Sequence, residues 1–136
     1  EGADAAFFAH PWRNTVGAEI AFLKDALRRR NPYVCQRYDG EWLEEQWKAL
    51  EDDKGYTDDC LYCGGAFIYR NGKPFHRLAK EWWYQISRFH INDQLGLPYA
   101  MKMSGAKINT IPGDIFNCEY LTHTRNRKWK REHADA

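Results

Sequence analysis

The sequence lacks a long apolar run, a strong excess of one charge and a dense set of cysteines. No apolar stretch approaches the roughly 20 residues that a membrane-spanning helix needs. The 20 basic and 19 acidic residues leave a formal charge of +1, so the chain has no overall attraction to nucleic acid or to anionic membranes. Four cysteines in 136 residues are too few for a small disulfide-built secreted scaffold. We therefore expect neither a membrane span nor a nucleic-acid partner, and we expect a reducing, cytoplasmic location.

The chain also lacks an initiator methionine and the charged-then-apolar start of a signal peptide. It opens at Glu1, so we expect a fragment of a longer polypeptide. The length predicts a single domain over residues 1–136. With 43% hydrophobic and 29% charged residues, the composition is that of a globular protein.

Hydrophobic spacing predicts two elements at the start of the chain. Small and aromatic residues from Ala5 to Ala9 predict a short strand, which the following His-Pro pair ends. Apolar residues then recur at helical spacing from Val16 to Leu27, after a capping Asn14 or Thr15. The Asn31-Pro32 pair is expected to break that helix.

The rest of the chain predicts further helices and strands in alternation. The expected elements are a helix from about Glu41 to Leu50 capped by Asp39, a strand from Leu61 to Tyr69, a helix from about His76 to Phe89, a helix that begins at Asp93 and is limited or kinked by Pro98, and a strand from Lys107 to Ile111. This pattern predicts an α/β fold in which helices flank a small mixed sheet.

Several motifs follow one another in an order that resembles a known enzyme family. The motifs are the segment His10 to Asn14, the glycine-bearing run Cys63 to Arg70, the tryptophan-bearing helix, Asn92 to Leu95, Ile111-Pro112 with Asn117, and His123 with Lys128-Trp129. Their order resembles the C-terminal, acceptor-side part of a GT-A-type glycosyltransferase. Within that superfamily the chain is most similar to the plant-type TOD/MUCI glycosyltransferase-like family and to the glycogenin-like retaining enzymes.

The resemblance implies transfer of a hexose-type sugar from a nucleoside diphosphate sugar to a hydroxyl acceptor on a glycan, lipid or protein. Asp93 and Gln94 match an Asp-Gln pair that holds the donor sugar near its anomeric carbon, where a carboxylate offsets developing positive charge. Gly64 and Gly65 match a position beside the donor sugar. Glycines lack a Cβ, so a ligand can approach their main chain closely.

By the same resemblance, the basic C-terminal tail carries the metal and phosphate contacts. His123 matches a histidine that binds Mn²⁺ or Mg²⁺, and Lys128 matches a lysine that neutralises the leaving diphosphate. Arg125 is placed to bind phosphate as well. Arg13 belongs to a segment that lies near the donor in the resembling enzymes.

Each of these motifs also has a plain structural explanation. A glycine pair is typical of a strand bulge, and Asp93 is typical of a helix cap. Arg13 can form a buried ion pair with Glu19, and a basic tail is commonly solvated surface. The Asp-x-Asp metal motif of GT-A enzymes is lacking from its required position, and we expect it upstream of Glu1.

That lack leaves a second hypothesis, a non-catalytic sugar- or nucleotide-binding module. Cys60 and Cys63 have the spacing of half a zinc site or of a redox motif, but no second close pair of ligands accompanies them. We therefore expect two semi-buried thiols. Trp82, Trp83 and Tyr99 are candidate sugar platforms, although helical spacing favours core positions for the two tryptophans.

Overall fold

A three-stranded mixed sheet with five helices forms the fold of residues 2–121, the part of the chain that the computed structural model describes. The elements are β1 (Ala5–Ala9), α1 (Val16–Arg28), α2 (Pro32–Tyr38), α3 (Leu43–Asp52), β2 (Tyr62–Tyr69), α4 (Lys73–Arg88), α5 (Asp93–Ser104) and β3 (Ile108–Ile111). β1 lies in the centre, antiparallel to β2 and parallel to β3. The predicted α/β class with a small mixed sheet is confirmed.

The central strand β1 is buried on both sides. Successive side chains of a strand point to opposite faces, so Phe7 and Phe8 fill two separate cores. Phe7 packs with Leu78 of α4 and Leu97 of α5. Phe8 packs on the other face with Cys63 and Ile111. This double burial explains why β1 reads as a continuous apolar run.

The pairing of β1 with β2 contains a bulge at the glycine pair. Phe7 lies opposite Phe67, whereas the next residue, Phe8, lies opposite Cys63, so the register skips residues 64–66. Extra residues in one strand bend it and aim its main chain away from the ladder. The bulge that we weighed as an explanation of the glycines is therefore present.

The helix α1 is capped by a carboxylate from a distant loop as well as by its own N-cap. Thr15 Oγ1 accepts the N–H of Ala18 at 3.2 Å. The two carboxylate oxygens of Asp58 accept the N–H groups of Val16 and Gly17, each at 2.8 Å. Because a helix N-terminus has free N–H groups and a positive dipole end, this contact ties the loop before β2 to α1.

Helices α4 and α5 pack closely because Gly96 faces α4. A Cβ at Gly96 would lie 2.6 Å from Cβ of Gln85 and 3.3 Å from Nε2 of Gln46. The buried amide of Gln46 donates to Oε1 of Gln85 at 3.3 Å. We call these three residues, together with the buried His90 in the loop that joins α4 to α5, the helical corner.

Two local expectations around α2 were wrong. Asn31-Pro32 starts a helix instead of only ending one: the Asn31 side chain accepts the N–H of Val34 and the proline occupies the first turn of α2. Asp39 therefore ends α2, and it caps no following helix, because α3 begins at Leu43 without a side-chain cap.

The other differences concern α4 and α5. α4 begins at Lys73, three residues earlier than expected, since a proline is tolerated in a first turn. Pro98 lies inside α5 without ending it. Trp83 is 70% exposed, so its expected core position is wrong, whereas Trp82 is partly buried against the Phe7 core. None of the helices within residues 2–121 has the length and apolar character to cross a membrane.

Candidate functional site

A cleft of about 650 Å³ lies between the loop after β1, helices α1 and α2, and the start of α5. Its lining residues are His10, Trp12, Arg13, Glu19, Phe22, Leu23, Asn31, Tyr33, Val34, Arg37, Tyr38, Ile91, Asn92, Asp93 and Gln94. The volume is within the range of small-ligand sites, and the lining mixes aromatic rings with amides, carboxylates and guanidinium groups. The sequence-predicted residues Arg13, Asp93 and Gln94 meet here.

Asp93 is held at the first turn of α5 by contacts on both sides. The side chain of Asn92 caps the helix by accepting the N–H of Gln94 at 3.2 Å. Nε1 of Trp82, on α4, donates to the main-chain oxygen of Asp93 at 2.7 Å. Trp82 thus positions the aspartate from behind the cleft, a role that its place in the sequence did not indicate.

Burial raises the pKa of Asp93 above its ordinary value. The N–H groups of Asp93 and Gln94 act in the opposite direction but only in part. A half-buried carboxylate in a cleft interacts strongly with positive charge, because little water screens it. Such perturbed carboxylates are typical of functional sites.

Gly64 lies directly against the Asp93 carboxylate. A Cβ built on Gly64 would lie 2.1 Å from Oδ2 of Asp93 and 3.1 Å from Cζ2 of Trp82. Only a residue without a Cβ allows this approach. The structure therefore brings together the glycine and the acid that the motif order singled out.

Gly65 lies elsewhere, because the next residue of a strand faces the other side. A Cβ on Gly65 would meet Cδ1 of Ile115 at 3.3 Å, and Gly65 does not line the cleft. Ile115 packs against the Phe8 core. The two neighbouring glycines thus face opposite sides of the sheet, and neither of them lines the cleft itself.

Arg13 and Glu19 form an ion pair in the cleft wall. Nε of Arg13 donates to Oε2 of Glu19, which is almost fully buried. The guanidinium group of Arg13 also lies 4.1 Å from the ring centre of Phe22. The Arg13–Glu19 ion pair that the sequence suggested is therefore present, and both side chains also line the cleft.

His10 fixes the loop that carries Arg13. Its Nδ1 accepts the N–H groups of Trp12 at 3.3 Å and of Arg13 at 3.1 Å. Burial lowers the pKa of His10, although the nearby Glu19 carboxylate opposes the shift. A neutral imidazole suits this role, because its unprotonated nitrogen must act as the acceptor.

The opposite wall comes from α2, which the sequence did not predict as a helix. The guanidinium group of Arg37, on this helix, lies 4.4 Å from the ring centre of Tyr33. Tyr38 is half-buried, and burial raises its pKa. The available signal was the Asn31-Pro32 pair, because asparagine caps helices and proline is favoured in their first turn.

The predicted metal and phosphate ligands lie in a part of the chain that the structure does not describe. His123, Arg125 and Lys128 all lie beyond residue 121. Among residues 2–121, no group of three His, Cys, Asp or Glu side chains is placed to hold a metal ion. These residues do not by themselves fit an Mn²⁺ or Mg²⁺ site, and the ion stays a prediction.

Cys60 and Cys63 are both free thiols. Burial raises the pKa of each to about 11, with help from nearby carboxylates. Since thiolates are the form that binds metals and attacks disulfides, protonated thiols at neutral pH favour the plain structural explanation.

Comparisons of the chain with protein-family models, with curated proteins and with solved structures gave no significant match. Its function is therefore inferred from the cleft and from the residues that build it.

Proposed function

We propose that the protein is glycosyltransferase-like and that its cleft holds the sugar of a nucleoside diphosphate sugar, for transfer of a hexose-type sugar to a hydroxyl acceptor. The observation that carries this proposal is the Asp93 carboxylate, which lines the cleft and lies against the main chain of Gly64 behind it. A sugar has both C–H faces and hydroxyl groups. The cleft offers rings for the first and hydrogen-bonding groups for the second.

Asp93 is the residue to which we assign the reacting end of the sugar. Its carboxylate accepts hydrogen bonds from hydroxyl groups and stabilises the positive charge that develops at an anomeric carbon during transfer. Partial burial strengthens both interactions because it lowers the local dielectric. Gln94 lies beside it on the cleft surface, where its amide can bind a second hydroxyl.

The surrounding contacts support a rigid site. Trp82 and Asn92 hold the start of α5 from two directions, and His10 holds the loop of Arg13. A site of this kind loses less conformational entropy when a ligand binds. An Mn²⁺ or Mg²⁺ ion on His123, with Lys128 and Arg125 on the diphosphate, belongs to the proposal by resemblance only.

Calorimetric titration tests the proposal. Uridine diphosphate glucose and guanosine diphosphate mannose are titrated into the full chain, each with and without Mn²⁺. We expect one of them to bind, and we expect Asp93→Ala and Gly64→Ala each to weaken it at least tenfold, which corresponds to about 1.4 kcal/mol. Gly72→Ala is the matched control, because its Cβ would meet nothing closer than 3.7 Å. Unchanged binding in Asp93→Ala would reject the assignment.

A second candidate, a sugar-binding module without catalysis, is favoured by the Arg13–Glu19 ion pair. That pair neutralises one of the two carboxylates that line the cleft and leaves Asp93 to act alone. A single carboxylate is enough to hold a sugar. Mass spectrometry of the donor after long incubation with hydroxyl acceptors separates the candidates: a transferase consumes the donor and Asp93→Asn does not, whereas a binding module leaves the donor intact.

A further inference from the structure

Two exposed aromatic rings stand together at the rim of the cleft. Trp12, which lines the cleft, is 69% exposed, and Phe116 is 48% exposed. Their ring centres are 5.5 Å apart and their planes differ by 23°, so they are stacked. We call this pair the rim platform. Large rings left accessible beside a polar cleft are a common form of ligand contact.

Each ring of the rim platform is carried by a turn with its own hydrogen bonds. On one side, Nδ1 of His10 accepts the N–H of Trp12, and the two rings meet edge to face at 5.7 Å. On the other side, Oδ1 of Asp114 accepts the N–H groups of Phe116 at 2.7 Å and of Asn117 at 2.9 Å. The rings are therefore held in place before any ligand arrives, which reduces the entropy lost on binding.

The charges beside the rim platform disfavour a phosphate there. Among the residues that the structure describes, the guanidinium group recorded at the Trp12 ring is that of Arg13, 6.0 Å from the ring centre, and Glu19 already pairs with it. The carboxylates of Glu19 and Asp93 both line the same cleft. The other guanidinium group of the cleft lining, that of Arg37, belongs to α2 and lies over Tyr33. At Trp12 itself a phosphate therefore gains little from a cation that Glu19 already neutralises, whereas a neutral polyhydroxylated ring needs no cation.

We propose that the rim platform binds a sugar ring of a neutral acceptor saccharide, while the donor sugar occupies the cleft at Asp93. This inference rests on the proposed function and adds to it the class of acceptor. The cleft volume of about 650 Å³ is in the range that accepts ligands larger than one sugar ring. The C–H face of the acceptor ring stacks on Trp12, and its hydroxyl groups face the polar lining.

The test compares acceptors of increasing length on the full chain. Glucose, galactose and mannose, with their di- and trisaccharides, are titrated by ligand-observed NMR, and donor binding is measured in parallel by calorimetry. We expect at least one series to bind more tightly from one ring to two. We expect Trp12→Ala to weaken the disaccharide about tenfold and to weaken the donor, whose sugar lies at Asp93, far less. Trp12→Phe should keep most of the affinity. Phe116→Leu should lose part of it.

The control is Trp83→Ala, which removes another exposed tryptophan from α4, outside the cleft lining. Disaccharide binding that survives both Trp12→Ala and Phe116→Leu would overturn the inference. It would also be overturned if Trp12→Ala weakened uridine diphosphate instead, because the ring would then serve a nucleobase. Donor binding without any saccharide binding rejects the rim platform alone, and failure of both rejects the proposed function as well.

Discussion

The Asp93 end of the cleft and the helical corner each have a glycine in close contact and a titratable group shielded from water, and they differ in what those contacts do. At Gly96 the neighbour is Cβ of Gln85, an atom fixed to its own helix. At Gly64 the nearest neighbour is the terminal oxygen of Asp93, which a rotation of the side chain can move, and Cζ2 of Trp82 follows at 3.1 Å. The corner is therefore a packing contact, whereas the contact at Gly64 positions the carboxylate that we propose to bind the sugar.

The titratable groups of the two regions, His90 and Asp93, also differ in what their burial does. His90 in the corner is buried as a neutral ring, which accepts the N–H of Asn92 at 3.1 Å. Asp93 in the cleft is half-buried with a pKa raised by that burial, so its ionised form weakens the fold at neutral pH. A protein keeps such a costly group where function needs it. Four changes test this contrast, from the largest effect to the smallest.

Acidification should act most strongly on the helical corner, and less on His10, whose pKa burial also lowers. Burial lowers the pKa of His90 to about 4, so the fold loses stability as the pH falls from the ordinary value near 6.5 toward 4. The loss should approach about 3 kcal/mol, because each pKa unit corresponds to about 1.4 kcal/mol. Urea unfolding at a series of pH values measures it. His90→Gln should flatten the profile in that window, and an equal slope in the variant would contradict the assignment.

Gly96→Ala should lower the free energy of unfolding by about 1 to 2 kcal/mol. Overpacking costs about 1 to 3 kcal/mol, and the better helix propensity of alanine returns up to about 1 kcal/mol. Urea unfolding compares it with Gly72→Ala, whose Cβ has room. Sugar-nucleotide affinity in the folded fraction should stay unchanged. A more stable Gly96→Ala would show that the corner is less tightly packed than the structure indicates.

Gly64→Ala should cost less stability than Gly96→Ala, about 1 kcal/mol or below, because the carboxylate of Asp93 can swing away. Its main effect should be on ligand affinity, as described above. The double variant Gly64→Ala with Asp93→Ala sharpens the point, since the new methyl group then has no carboxylate to displace. We expect non-additive unfolding energies in this cycle, and strict additivity would argue against the contact.

Asp93→Asn should have the smallest effect on stability and the opposite sign. The carboxyl pKa is raised in the fold, so its contribution is complete at low pH and is lost as the pH rises through the folded pKa. Replacing it with a neutral amide should therefore stabilise the protein at pH 7 by roughly 0.5 to 1 kcal/mol. Thermal unfolding should show a gain that disappears in acid. A loss of stability at pH 7 would mark Asp93 as structural.

Local periodicity was enough to predict most of the fold. β1, α1 and β2 were placed within one residue, because their apolar spacing agrees with how they pack. α2 was missed because Asn31-Pro32 signals both the end of one helix and the start of the next. Pro98 was expected to limit or kink α5, but the helix runs through it from Asp93 to Ser104. Both prolines were interpreted as helix breakers, and in the structure each of them lies within a helix.

The residues of the candidate site were likewise predicted only in part from the sequence. The order of motifs singled out Gly64 and Asp93, and the structure places them in contact. It could not distinguish Gly64 from Gly65, because the face that each residue occupies depends on the register of the bulge. Nor could it indicate that Tyr33 and Arg37 would face the same cleft from α2. Such contacts depend on how helices are arranged in space.

Residues 64–66 of β2 pair with no residue of β1, so a change in them can alter the contact with Asp93 while the sheet stays intact. The residue pairs on either side of this stretch hold the two strands together. A longer or shorter stretch would therefore change the surroundings of Asp93 without disrupting the strand pairing. Insertions and deletions in these three residues of β2 can therefore remodel the surface that contacts Asp93. The aromatic side chains that hold β1 in the core need not change when this stretch of β2 changes.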